Sequence, residues 1–184
     1  MNLKEFDVTN AKEGETLIEI LVSHKWEYHA GPPQTKEDVN ERIESGYYNT
    51  DGSKTFFIEV ESNSLIGFIR IFDLGDDNDD NETPLFDIRI KESERGKGYG
   101  ETAVKKLIEY IFNNYPNKTR IEATTRQDNL AMRKVLEKNG FVKEAHYRES
   151  WPAENGKLMD TVGFGILKRD WQKKIKTPVN WNDL

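Results

Sequence analysis

"RIKESERGKGYGETAVKKL", residues 89–107, decides how this chain is read. Between Arg95 and Gly100 it places three glycines and two cations, and directly afterwards Val104, Leu107, Ile108 and Ile111 repeat at helical spacing. The spacing predicts an amphipathic helix over 101–114, ended by "NNYPN". A tight turn into a helix accounts for one glycine, wherever φ must be positive. Gly96, Gly98 and Gly100 in alternation ask for more: alternate glycines let backbone N–H groups approach a ligand, and the helix aims its positive dipole end at the same point. The turn reads as a cradle for a diphosphate. No Gly-Lys-Ser/Thr closes it as a Walker loop. The Rossmann reading is disfavoured, because the turn follows a late strand and no acidic residue ends the strand after the helix.

Working outward, "LFDIRI" runs into the turn as a strand and "TRIEATT" (119–125) follows the helix as another. Strand, turn, helix, strand is a crossover unit that calls for two neighbouring strands, parallel or nearly so. Upstream, residues 3–8 read as a strand, 15–24 as a helix, and Thr35 as the cap of a second helix, with Asp38 as capping-box partner and Gly46 at its end. "KTFFIEV" and "LIGFIRIF" read as a hairpin about the turn "ESNS". "DLGDDNDDNE" (73–82) holds six carboxylates in ten residues and reads as a loop. Downstream, 128–141 predicts a helix stopped by Gly140, and "FVKEAHYRE" and "DTVGFGIL" two closing strands around the hairpin loop "SWPAENGKLM".

Composition narrows the chemistry. With 184 residues one core is large enough to stand without staples, and with no cysteine there is no thiolate nucleophile, disulfide or Cys-based zinc site. His24, His29 and His146 show no metal-ligand spacing, so no metal is expected. A net charge of −6 argues against a nucleic-acid partner. No charged-then-apolar leader follows Met1 and no apolar run is long enough to span a bilayer, so no membrane association and a cytoplasmic location are expected.

Arg95-Gly96-Lys97-Gly98-Tyr99-Gly100 resembles the Arg/Gln-x-x-Gly-x-Gly/Ala coenzyme A pyrophosphate loop of the GNAT superfamily of N-acetyltransferases. Asn129, Ala131 and "EKNGF" ending at Phe141 are similar to a second segment of the branch that holds the ribosomal-protein N-terminal and some aminoglycoside acetyltransferases. The resemblance implies an α/β fold in a single domain over 1–184, a mixed central sheet of six to seven strands flanked by about four helices. It implies acetyl-CoA as cosubstrate, with Arg95 to Gly100 on the diphosphate, the backbone near Ile88 and Ile90 on the developing oxyanion, and Asn129 on the pantetheine arm. Asn129 also reads as a helix cap shared with Asp128. Attack by an amine needs a proton acceptor, and Asp87, in an otherwise apolar strand, matches the place of a catalytic aspartate in that branch. It reads equally as the ion-pair partner of Arg89 on the same strand face. Glu122 is the reserve base. Where many relatives carry a tyrosine to protonate the thiolate, this chain has Leu136, so no general acid is named.

The acceptor is the least legible part. A cationic amine drawn by the carboxylates of 73–82, or a solvated loop with no role, are both open readings. Trp26 and Tyr28, in "HKWEYH" (24–29), could flank an amine or belong to the core. Aminoglycoside, polyamine and protein N-terminus all fit, a homodimer is a candidate assembly, and a catalytically silent acyl-CoA-binding domain is the alternative function.

Overall fold

The apolar runs "FFI" and "FIRI" lie in a sheet that is covered on both faces. In the computed structural model, which describes residues 1–29, 31–75, 82–153 and 156–182, seven strands and five α-helices form. β1 (Asn2–Glu5), β2 (Lys54–Val60), β3 (Ser64–Phe72) and β4 (Leu85–Ile90) make one sheet in that order, with antiparallel ladders. On one face Phe57 and Phe68 pack beneath α1 (Ala11–Val22) and α2 (Lys36–Glu44), against Leu17, Leu21 and Val39. On the other, Phe56 and Ile69 meet Val104, Leu107 and Ile111 of α3 (Tyr99–Asn114). Burial on both faces is why these strands are apolar without alternation.

β5 (Arg120–Arg126), β7 (Leu158–Leu167) and β6 (Val142–Pro152) make the second sheet, ordered β5-β7-β6 and again antiparallel. Its Ile121, Phe164 and Ile166 join the same apolar cluster as α3, together with Leu136 of α4 (Leu130–Lys138). One core therefore holds both sheets. Among the described residues no helix is long and apolar enough to cross a membrane.

Several boundaries move for identifiable reasons. α1 starts at Ala11, four residues before the predicted Glu15, because Asn10 caps it by accepting from the N–H groups of Lys12 and Glu13. α2 carries the predicted capping box of Thr35 and Asp38. α4 is trimmed at both ends by Asn129 and Asn139. The closing strands are longer than predicted because Trp151 pairs with Met159 and Pro152 with Leu158. α5 (Lys168–Lys173) was not predicted; it is short, and Trp171 seats it against Phe112 with ring centroids 5.3 Å apart.

The crossover places β4 beside β5, but the two strands belong to different sheets. They touch near the start of β4, where the Glu122 N–H donates to the carbonyl of Pro84, the residue before that strand, at 2.9 Å, and no ladder continues from there. The open edge of β4 has a definite chemistry. The Lys91 N–H donates to Ile66 on β3 at 2.9 Å, so by the two-residue alternation of a strand Ile88 and Ile90 turn their N–H groups the other way, toward the gap. From the same side Arg95 Nε donates to the Ile90 carbonyl at 3.0 Å.

Candidate active site

Two clefts open on this gap. The first, of about 510 Å³, runs from Ile88 and Ile90 along the glycine turn to α4, where Met132 and Val135 line it. Gly96 and Gly98 sit at φ 77° and 84°, and a Cβ on either would meet no protein atom within 4 Å. Gly98 caps α3 without a side chain, so the first N–H groups of that helix are left for another acceptor. Gly100 has ordinary helical backbone; its Cβ would stand 3.6 Å from Ile90 and 3.7 Å from Val135, at the cleft wall. Arg95 borders the cleft, its guanidinium 5.3 Å from the Trp26 ring. Open N–H groups, a helix dipole and a fixed cation fit a diphosphate.

The second cleft, of about 650 Å³, adjoins the first at Ile88 and is lined by Arg70, Phe86, Asp87, Arg89, Thr124 and Trp151 among others. Both clefts are bordered by Tyr28, His29, Ile88, Asn129 and Met132. Asp87 accepts from Arg89 Nε at 3.0 Å, and His29 Nε2 lies 2.7 Å from its other oxygen. A carboxylate facing that nitrogen requires an N–H on Nε2, and Nδ1 is shielded from water with no hydrogen-bond partner among the described residues. Burial pushes the Asp87 carboxyl up, but the hydrogen bond from His29 and the charge of Arg89 outweigh it and hold the pKa below the ordinary value. Asp87 is thus a fixed anion in the wall of the second cleft.

The predicted site residues divide. Ile88, Ile90, Arg95, Gly96, Gly98, Tyr99, Gly100 and Asn129 all border the first cleft, and Asp87 borders the second. The Lys97 side chain pairs with Glu94 at 3.0 Å and lines neither. Glu122 lines neither: Arg120 donates to it at 2.8 Å and also holds Glu144 on β6, so this carboxylate belongs to a network of the second sheet. Asn129 caps α4, accepting from the Met132 N–H at 3.1 Å and donating to Thr125 at 3.0 Å. Leu136 is fully buried in the core. Of the acidic stretch, residues 76–81 lie outside the described residues. His29 and Arg70 join the site without belonging to any motif of the sequence. Arg70 had a signal, a cation interrupting an apolar strand; His29 had none, since its partner is 58 residues away.

The segment 24–29 reaches the site because Arg126 clasps it. Arg126 donates to the Glu27 carbonyl at 3.2 Å, stands 4.7 Å over the Tyr28 ring and is itself fixed by Asp128 at 2.6 Å. Trp26 and Tyr28 are therefore wall residues of the first cleft.

The fold sets a glycine turn at the start of a helix, beside two strands that splay apart. The acetyltransferase (GNAT) domain profile matches residues 9–142, and the chain belongs to that family. An uncharacterized N-acetyltransferase p20 of Bacillus licheniformis is 40% identical over 76 residues, 41% of this chain and 42% of that one, so the match spans less than half the relative's length. Spermidine N(1)-acetyltransferase of Vibrio cholerae serotype O1 is 24% identical over 136 residues, 74% of this chain and 76% of the relative. The crystal structure of spermidine N-acetyltransferase from Vibrio cholerae in complex with CoA and spermine superposes with a TM-score of 0.72 at 19% identity, covering 93% of this chain and 97% of that one. That likeness is one of fold.

Proposed function

We propose that the chain transfers the acetyl group of acetyl-CoA to a primary amine by direct attack of nitrogen on the thioester. The observation that carries this reading is the meeting of the two clefts at Ile88, with the anion cradle in one and the Asp87–His29 pair in the other. The N–H groups of the turn and Arg95 hold the diphosphate, and the open N–H of Ile88 lies where a thioester carbonyl running down the first cleft would end. There it donates to the oxygen that gains charge as nitrogen attacks. Capped by Asn129, α4 forms the opposite wall. Bound acetyl-CoA supplies an activated acyl carbon and a thiolate leaving group.

The amine attacks in its neutral form, the minor one at neutral pH. A carboxylate held as low as Asp87 is a poor base toward free alkylammonium, so Asp87 with His29 takes the proton after attack, when the nitrogen is far more acidic. The thiolate has a pKa near 8.5, so leaving unprotonated at pH 7 costs about 2 kcal/mol, and no protein acid is assigned. A cytoplasmic setting accords with use of acetyl-CoA, and the names of the spermidine acetyltransferases support a small amine as acceptor. The test is release of free thiol from acetyl-CoA by the whole chain with a panel of amines. Tight acetyl-CoA binding without amine-dependent thiol would leave only the silent, acyl-CoA-binding alternative.

A further inference from the structure

We infer that the second cleft takes an amine that also carries a carboxylate, of the amino-acid class, with Arg70 as the partner of that anion; this rests on the transferase reading above. Arg70 and Asp87 are directly opposed Cα partners on β3 and β4, so their side chains stand on one face of the sheet and both line the cleft. The charge of Asp87 is already matched by Arg89 at 3.0 Å. Arg70 has no such match: among the described residues no carboxylate lies within ion-pair distance of it.

Its fork is nevertheless held still. The guanidinium lies 3.9 Å from the Tyr47 ring centroid and 5.7 Å from that of Phe72, and one terminal nitrogen donates to the Tyr47 carbonyl at 2.9 Å. Nε is shielded from water and has no hydrogen-bond partner among the described residues, which is costly for a cationic donor unless a ligand completes it. A planar fork pinned against an aromatic face, with donors unspent, is the geometry that binds a carboxylate in two-point fashion. Directly opposed residues of such a ladder have Cβ atoms about 4.5–5.5 Å apart, and both side chains line one cleft, so the anion site suits a carboxylate carried on the same small molecule as the reacting nitrogen.

An oligocationic amine fits these charges less well. The described ionic groups of the cleft wall are Arg70, Arg89, Asp73 and Asp87, with His29 beside them, and the carboxylate nearest the reaction point is the one already neutralised. Among the described residues the wall is balanced, with a cation unsatisfied.

The experiment compares amines that differ in the anion alone: phenylalanine, phenylalaninamide and phenethylamine, with spermidine as the oligocation, each followed by thiol release at saturating acetyl-CoA. The wild-type protein is expected to favour phenylalanine by about tenfold or more in kcat/KM. Arg70→Gln should lower kcat/KM for phenylalanine about ten- to hundredfold more than for phenethylamine, mainly through KM, the effect of one lost charge-assisted contact. Arg70→Lys, which keeps the charge without the fork, should recover part of the difference, and thermal unfolding of both variants checks the Tyr47 clamp. Equal turnover of acid and amide, preference for spermidine, or an equal loss for all amines in Arg70→Gln overturns the inference and leaves the transferase reading standing. Absence of thiol release with every amine sinks both.

Discussion

A desolvated carboxylate gains basicity, and one that accepts hydrogen bonds from cations loses it; at Asp87 the second effect wins. Because the folded pKa lies below the ordinary 3.8, the stability that Asp87 contributes is fully present above that value and is lost as pH falls from it toward the folded pKa. Wild type should therefore be more stable than Asp87→Asn at neutral pH. The gap in Tm between them should narrow as pH drops below about 4; a constant gap would mean the ion pair contributes nothing. Turnover by Asp87→Asn should fall about 10²- to 10⁴-fold with acetyl-CoA affinity close to wild type, the usual size of a proton-transfer contribution. A rate unchanged across pH 6 to 9 would leave the proton to water. Arg89 and Asp87 share a strand face, so their pairing was legible in the sequence. The approach of His29 was not, because contacts across so many residues depend on how the loop folds back.

The glycine turn and α3 act as one unit, and its three glycines have different reasons to be there. Gly96 and Gly98 need positive φ, so any side chain there strains the backbone. Gly100 is free of that constraint, and its Cβ would make ordinary contacts with Ile90 and Val135 while narrowing the cleft. Gly100→Val is consequently the cleaner probe of anion binding. It should weaken acetyl-CoA about tenfold to hundredfold in calorimetry, each charge-assisted hydrogen bond lost costing roughly 1.5–3 kcal/mol, and leave the helical circular dichroism intact. Gly98→Val should lose binding too, with a drop in Tm from the strained cap. Undiminished affinity in Gly100→Val would remove the turn from its assigned role.

Across the whole molecule, one apolar core ties two sheets together while leaving their facing edges, β4 and β5, apart beyond Pro84 and Glu122. Asp73, the first carboxylate of the acidic stretch 73–82, lines the second cleft. Changing Asp76, Asp77, Asp79 and Asp80 together to Asn should raise the apparent KM of spermidine at low salt, an effect that fades toward 0.1 M ionic strength, where the screening length is about 10 Å. A zwitterionic amino acid should respond little and acetyl-CoA not at all; an equal response of all three would show that the stretch shapes the fold instead of the field. The sequence alone determined the element order, the glycine turn and its helix, the hairpin and the capping box, because apolar period, glycine spacing and cap chemistry are local properties of the chain. Only the tertiary structure decided that the side chains of Glu122 and Lys97 line neither cleft, that Leu136 is core, and that His29 and Arg70 flank Asp87. Those outcomes depend on which strand edges stay unpaired and where a loop is clasped, and the physics that settles them acts between residues distant in sequence.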